Sequence, residues 1–186
     1  MKLEHKIVAI VGMCGSGKSI ATNVFCERGW EKVYFGGLTM DKLEEMGLAK
    51  TEANEKMVRE NLRKEHGPGA FAKLLLPKIE KLAKESHTVL DGLYSWSEYK
   101  ELTEYFGDNL SVLAVVTNRP VRYERLTTRE IRPLTNDEAK SRDFAEIEKI
   151  EKGGPIAIAD YFVLNNGDMD AFETELNKII DEITSK

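Results

Sequence analysis

The chain has 186 residues, of which 41% are hydrophobic and 32% charged, which is enough for one globular domain with a sizeable core. Its formal net charge of −5 argues against a general coat for nucleic acid, because the basic residues would have to be locally concentrated. No apolar run is long enough to span a bilayer, and the two cysteines make no disulfide framework. We therefore expect a cytoplasmic protein with no nucleic-acid or membrane partner.

Strand and helix patterns alternate along the chain, as in a parallel sheet covered on both faces. Short runs rich in β-branched residues mark the strands, and apolar residues at steps of three and four mark the helices. Strands are predicted at 7–11, 32–35, 87–90, 110–117 and 161–164, and helices from Ser19 to Gly29, at 39–48, 51–65, from Pro68 to about Glu85, at 95–106 and at 168–184. Ligands of such sheets bind outside the C-terminal ends of the strands.

A phosphate-binding pattern, G-x-x-x-x-G-K-[ST], follows the first strand at residues 12–19 (GMCGSGKS). Its glycines let the backbone bend so that successive N–H groups point at phosphate oxygens. Lys18 brings a positive charge to the β- and γ-phosphates, and Ser19 offers a hydroxyl ligand to Mg²⁺. The pattern assigns ATP binding to Gly12, Met13, Cys14, Gly15, Ser16, Gly17, Lys18 and Ser19.

Two arginines, Arg59 and Arg63, lie one turn apart in the predicted helix at 51–65. They have two interpretations of equal weight. Either they hold the phosphate or another anion of an acceptor, or they serve only solubility in a helix already rich in Glu and Lys.

An acidic residue, Asp91, ends the third strand and precedes a glycine. An acid at this place can hold Mg²⁺, directly or through water, or orient the attacking oxygen. The alternative is a turn-forming Asp before Gly. We favour the metal role, because a chain with a phosphate loop needs a carboxylate near the metal.

Five arginines recur at steps of three and four, so we expect them on roughly one side of a helix: Arg119, Arg122, Arg125, Arg129 and Arg132. Phosphoryl transfer requires positive charge over the transferred group, and arginine grips phosphate at two points. We assign this catalytic role to Arg125, Arg129 and Arg132. For Arg119 and Arg122, a solvated face paired with the acidic stretch 137–151 is equally favoured.

The polar segment 133–154 follows these arginines, from Pro133 to Gly153-Gly154. Such a segment is typical of a mobile cap that closes over substrate. An exposed helical hairpin has the same pattern.

Several segments of the chain, taken together, resemble the P-loop kinases of the nucleoside-monophosphate-kinase superfamily, and most closely the adenylate-kinase-related, dephospho-CoA-kinase-like small kinases. These segments are GMCGSGKS, LRKEHGPGAFAKLL, VLDGLYSWSEY, RYERLTTRE and ADYFVLNNGDMDAF. The resemblance implies an α/β, three-layer P-loop NTPase fold with a five-stranded parallel sheet, a helical acceptor-binding section and a helical lid. It implies a single domain at 1–186, with a core at about 1–35, 86–128 and 155–186, an acceptor section at about 36–85 and a lid at about 129–154.

The resemblance also implies site residues. The turn after the last strand lies beside adenine in such kinases, which implicates Asn165, Asn166 and Gly167. The acceptor section implicates Gly37, Asp41, Arg59, Arg63 and Tyr94.

Two positions depart from the pattern of these kinases. Tyr94 stands where an arginine usually follows the third-strand Asp-Gly, so that an acceptor-phosphate contact is missing or comes from elsewhere, such as Arg63. The second strand lacks the Asp of true dephospho-CoA kinases, and Asp41 is the nearest acid.

Three functions are compatible with these features. The leading hypothesis is an ATP- and Mg²⁺-dependent phosphotransferase that acts on a small-molecule nucleotide or nucleotide-like acceptor, as a monomer or homodimer. The second makes the acceptor a sugar hydroxyl, as in dephospho-CoA. The third is an ATP-binding switch or regulatory ATPase. A GTPase is disfavoured, because the fourth strand is followed by Thr117-Asn118-Arg119-Pro120 and not by Asn-Lys-x-Asp.

Overall fold

Five parallel strands form the central sheet of the computed structural model, which describes residues 3–185. The strands are β1 (Ile7–Val11), β2 (Glu31–Tyr34), β3 (Thr88–Asp91), β4 (Leu110–Val116) and β5 (Tyr161–Leu164). Their order across the sheet is β2-β3-β1-β4-β5, and every neighbouring pair is parallel. This confirms the predicted five-stranded parallel sheet and places β1 at its centre.

Helices cover both faces of this sheet. In residues 3–185 they are α1 (Lys18–Glu27), α2 (Gly37–Glu45), α3 (Glu52–His66), α4 (Ala70–Ala83), α5 (Trp96–Phe106), α6 (Arg119–Thr128), α7 (Asn136–Glu148), α8 (Gly153–Ala157) and α9 (Met169–Ser185), with a 3₁₀ turn at Gly107–Asn109. None of these helices is both long and apolar enough to cross a membrane.

The core has two halves, one on each face of the sheet. Successive residues of β1 alternate between them because side chains of a strand point to opposite faces. Ile7, Ala9 and Val11 pack with α2 to α5, and Val8 and Ile10 pack with α1 and α9. Full burial of a Val or Ile side chain stabilises a fold by about 1.5–3 kcal/mol. Packing in both halves of the core therefore fixes the position of β1 and of the turn that follows it.

The arginine series does not share one helix, and that prediction is wrong. Helix α6 ends at Thr128, Arg129 is extended, and Arg132 has a φ of 52°. Residues before proline avoid the helical conformation, and Pro133 follows Arg132. Arg129 and Arg132 therefore lie on a loop, which lets them reach other elements.

Residues 136–148 of the predicted cap form helix α7. Its start is a capping box, in which the Thr135 hydroxyl accepts from the Glu138 N–H and the Glu138 carboxylate accepts from the Thr135 N–H. The short helix α8 was not predicted, because its Gly-Gly-Pro sequence is typical of a turn.

Candidate active site

A cleft of about 820 Å³ lies over the turn between β1 and α1. The predicted site residues that line it are Cys14, Gly15, Gly17, Lys18, Ser19, Arg59, Arg63, Asp91, Tyr94, Arg125, Arg129 and Arg132. Those that do not are Gly12, Met13, Ser16, Gly37, Asp41, Asn165, Asn166 and Gly167. The fold thus brings the phosphate loop, the end of β3, one face of α3 and three of the arginines to one place.

All three glycines of the loop have a positive φ, and the first and the last leave the least room for a side chain. Gly12 and Gly17 have φ values of 150° and 100°, which residues with a side chain rarely adopt. A Cβ on Gly12 would lie 2.5 Å from the carbonyl oxygen of Val115, and a Cβ on Gly17 would overlap the amide of Asn165. The backbone bend expected of the pattern is therefore present.

Asn165 supports this loop from the end of β5. Its buried amide donates to the carbonyl oxygen of Ser16 at 2.9 Å and accepts from Arg125 at 3.2 Å. The Asn166 side chain accepts from the N–H of Asn118 at 2.7 Å, and Gly167 is exposed. The hydrogen bond to Ser16 means that Asn165 stabilises the phosphate loop. The adenine contact implied for 165–167 stays a prediction.

Lys18 is the first residue of α1, and its side chain is partly buried in the cleft. Its Nζ donates to the carbonyl oxygen of Met13 at 3.0 Å. Burial, and then the positive charge of Lys152, lower the pKa of Lys18 from 10.5 to about 8. A polyanion bound beside this ammonium group would favour its charged form.

Two buried charges beside the loop were not identified from the sequence. Glu146 of α7 accepts from the N–H of Cys14 at 3.1 Å, and its carboxylate pairs with Lys152 at 2.9 Å. The acidic stretch 137–151 was recognised, but its charges have no spacing that distinguishes a buried acid from a solvated one. The contact with Cys14 bridges 132 positions of sequence, which no local pattern reveals.

Ser19 and Asp91 are the candidate metal ligands in the cleft. Asp91 ends β3, opposite Ile10 in the register, and its carboxylate lies 3.5 Å from Nζ of Lys32. Within residues 3–185, no three His, Cys, Asp or Glu side chains cluster as a metal site. A hydroxyl and one carboxylate suit Mg²⁺, which takes its other ligands from phosphates and water.

Arg122 connects α6 with α7 and with the phosphate loop through hydrogen bonds. Its guanidinium forms two hydrogen bonds, of 2.8 and 2.7 Å, with the buried carboxylate of Asp143, and a third of 3.0 Å with the carbonyl oxygen of Cys14. Arg122 thus pairs with the acidic stretch, but it is only 5% exposed and does not belong to the solvated face expected with that pairing. Arg119 lines a separate groove of about 660 Å³ with Tyr123 and Lys140, outside the cleft.

Two acids of α3 pair with an arginine of the same helix and with one from the loop after α6. Arg59 contacts Glu52 at 2.7 Å and Glu55 at 3.4 Å. From the loop after α6, Arg132 approaches the same two carboxylates at 3.8 and 3.7 Å. Arg63 also faces the cleft. Residues 129–132 and α3 therefore contact each other above the phosphate loop.

Of the other predicted acceptor residues, only Tyr94 faces the cleft. Burial, and then the negative charge of Asp91, raise the pKa of Tyr94, so its hydroxyl stays protonated. Asp41 is exposed on α2, and Gly37 begins that helix.

The sheet order, with a phosphate loop between the central strand and α1, defines a P-loop NTPase fold. Solved structures with this fold include a dephospho-CoA kinase from Campylobacter jejuni, 18% identical, with a TM-score of 0.59 over 98% of this chain and 99% of that one. A shikimate kinase from Bacteroides thetaiotaomicron is 14% identical, with a TM-score of 0.58 over 96% of this chain and 98% of that one. No family model matches the chain.

Curated relatives share far more sequence. A UPF0200 protein of Thermococcus kodakarensis is 38% identical, over 97% of this chain and 99% of its own length. One of Sulfurisphaera tokodaii is 31% identical, over 96% and 97%. The chain belongs to the UPF0200 family.

Proposed function

We propose that the protein is an ATP- and Mg²⁺-dependent phosphotransferase, related to the nucleoside-monophosphate kinases, that acts on a nucleotide or nucleotide-like acceptor. One observation carries the proposal. Cationic side chains from α1, α3, α6 and the loop after α6 converge on the cleft above the phosphate loop. Such a concentration of positive charge in an acidic protein suits a phosphate-rich pair of substrates.

The loop residues would bind the phosphates of ATP through backbone N–H groups and Lys18. Ser19 and Asp91 would hold Mg²⁺, which neutralises charge on the β- and γ-phosphates when it is bound. Arg125, Arg129 and Arg132 would stabilise the charge of the moving phosphoryl group. Positioning and electrostatics supply most of the rate in this kind of transfer, so the protein needs no covalent intermediate.

The acceptor would lie on the α3 side of the cleft. Arg63 is available there, with its guanidinium 5.2 Å from the ring centroid of Phe71, where it can bind an anion of the acceptor. Tyr94 provides no cation at this edge of the cleft. We therefore assign acceptor binding to Arg63 first and to Arg59 second, because Arg59 is already paired with Glu52 and Glu55.

A sugar hydroxyl is the second candidate acceptor. The observation that favours it is Asp91, whose carboxylate lines the cleft and lies at the strand end where an attacking hydroxyl would need to be oriented. A dephospho-CoA-like acceptor satisfies both this position and the arginines of α3.

The test is ADP release from Mg-ATP across nucleoside monophosphates, deoxynucleoside monophosphates and dephospho-CoA, with Lys18→Ala as the blank. We expect strong stimulation by one acceptor, which would also identify it. A flat response with tight ATP binding would contradict the kinase proposal and favour a nucleotide-dependent switch.

Charge reversal at Arg129 should lower turnover more than ATP affinity. We expect Arg129→Glu to reduce kcat by about 100-fold or more, because a positive charge is lost where negative charge develops. The measurement is steady-state kinetics beside direct ATP binding, with Arg119→Glu, outside the cleft, as the matched control. A change confined to ATP affinity would move Arg129 from catalysis to binding.

A further inference from the structure

A buried ion pair between Glu146 and Lys152 lies against the phosphate loop. The Glu146 carboxylate oxygen that pairs with Lys152 at 2.9 Å is the one that accepts from the N–H of Cys14 at 3.1 Å. The two residues are only 7% and 3% exposed. A carboxylate of the segment after α6 thus contacts the loop backbone itself.

The position of Glu146 is one in which a carboxylate and a phosphate would compete. Backbone N–H groups of this loop pattern are donors to phosphate oxygens, and Cys14 is a residue of this loop. Carboxylate and phosphate oxygens prefer the same donors and the same cations. An incoming triphosphate must therefore share or take over the contacts that Glu146 makes.

Lys152 adds a second ammonium group to the pocket of Lys18. Its Nζ lies 4.9 Å from the ring centroid of Tyr94, and its positive charge is felt at Lys18, whose pKa it helps to lower. The pocket thus holds the ammonium groups of Lys18 and Lys152 near the carboxylate of Glu146, which Arg142 also contacts at 3.5 Å. Positive charge in excess of its internal partner suits a ligand with several negative charges.

We propose that Lys152 is a second phosphate-binding lysine of this site and that Glu146 competes with phosphate for it. The inference rests on the proposed function, because it assumes that a triphosphate binds the loop. On binding, phosphate oxygens replace the Glu146 carboxylate at Lys152 and at the N–H of Cys14. Lys152 also supplies a positive charge beside Tyr94, which stands where the family pattern usually has an arginine.

A purely structural role for this ion pair makes a different prediction. If Glu146 and Lys152 only fix α7 to the loop, removing either charge disturbs the same contact, and both changes weaken ligand binding. If Glu146 competes with phosphate, the two changes have opposite signs. Removing its charge strengthens phosphate binding, and removing the charge of Lys152 weakens it.

The experiment is calorimetric titration of the full chain with inorganic triphosphate and with Mg-ADP. We expect Glu146→Gln to bind triphosphate about 3- to 10-fold more tightly and Lys152→Met at least about 10-fold more weakly, as for the loss of a charge-assisted hydrogen bond. Lys152→Arg keeps the charge and should stay within about 3-fold of the unmodified protein. Lys178→Met, at an exposed pair on α9, is the control and should not change binding.

Each outcome decides something. If Glu146→Gln leaves binding unchanged or weakens it, the proposal is overturned, even where Lys152→Met does not fold. If the unmodified protein binds triphosphate, Lys18→Ala does not, and both variants shift binding in one direction, this inference fails and the proposed function stands. If the unmodified protein binds neither probe, both fail.

Discussion

Replacement of Lys18 by Met should abolish phosphoryl transfer and, in the same variant, stabilise the ligand-free protein. The loss of activity follows from the proposed role of the ammonium group, which would bind the β- and γ-phosphates of ATP. We expect at least about a 100-fold fall in kcat, the effect of removing one preorganised charge from the transition state. The measurement is Mg²⁺-dependent ADP release in the presence of the stimulating acceptor.

The gain in stability follows from the burial of the same group. A lysine whose pKa falls from 10.5 to about 8 destabilises the folded protein at neutral pH by about 3 kcal/mol, before its hydrogen bond to Met13 is counted. With that bond subtracted, Lys18→Met should raise the free energy of unfolding by about 1–2 kcal/mol. Between the two pKa values the unfolded chain binds more protons at this residue, so its contribution to stability rises with pH.

Urea denaturation of the ligand-free protein tests this result. The advantage of Lys18→Met should be largest near about pH 7 and shrink towards about pH 10, as Lys18 of the unmodified protein loses its proton. Lys178→Met, in an exposed pair with Glu175, is the control and should change stability by less than about 1 kcal/mol. A destabilised Lys18→Met at neutral pH would contradict the account of this pocket.

Replacement of Arg122 by Met should be the most destabilising of the substitutions considered. Arg122 and Asp143 are both buried and share two hydrogen bonds of 2.8 and 2.7 Å. Removing the guanidinium leaves an uncompensated buried carboxylate, and the loss should be about 3–5 kcal/mol. The hydrogen bond to the carbonyl oxygen of Cys14 is lost as well, so the contact that joins α6, α7 and the phosphate loop is removed. Chemical denaturation measures the effect.

Two control variants distinguish the effect of breaking the buried pair on stability from the effect of removing any arginine. Arg28→Met removes an exposed pair with Asp181 and should change stability by less than about 1 kcal/mol. The double variant Arg122→Met, Asp143→Leu removes both charges and should recover much of the loss. If Arg122→Met behaves like Arg28→Met, Arg122 does not hold these elements together.

The fold was predictable from the sequence because its signals are local. The run at 7–11 is apolar throughout, as a strand buried on both faces must be, and the loop pattern occupies consecutive residues directly after it. Asp91 was placed correctly at the end of a strand, and parallel strands bring their C-terminal ends together. The parallel topology therefore places the phosphate loop and Asp91 in one cleft.

The segment after α6 was less predictable because its interactions are distant in sequence. The periodicity of the arginines continues past Thr128, but the helix ends there and Arg129 is already extended, which spacing alone does not reveal. Arg122 could be assigned to neither a site nor a solvated face, since only the fold shows Asp143 against it. Glu146 and Lys152 belong to a polar stretch in which the same residue types occur both buried and exposed. Composition alone could therefore not identify these two as buried.

The most direct test of the central claim is the fate of the γ-phosphoryl group of ATP. ATP labelled in that group is incubated with Mg²⁺, the protein and the acceptor that stimulates ADP release, and the products are separated. The account predicts that the label moves to the acceptor in step with ADP release and that Lys18→Ala transfers none. Label found only in inorganic phosphate, at the same rate with and without acceptor, would contradict a phosphotransferase.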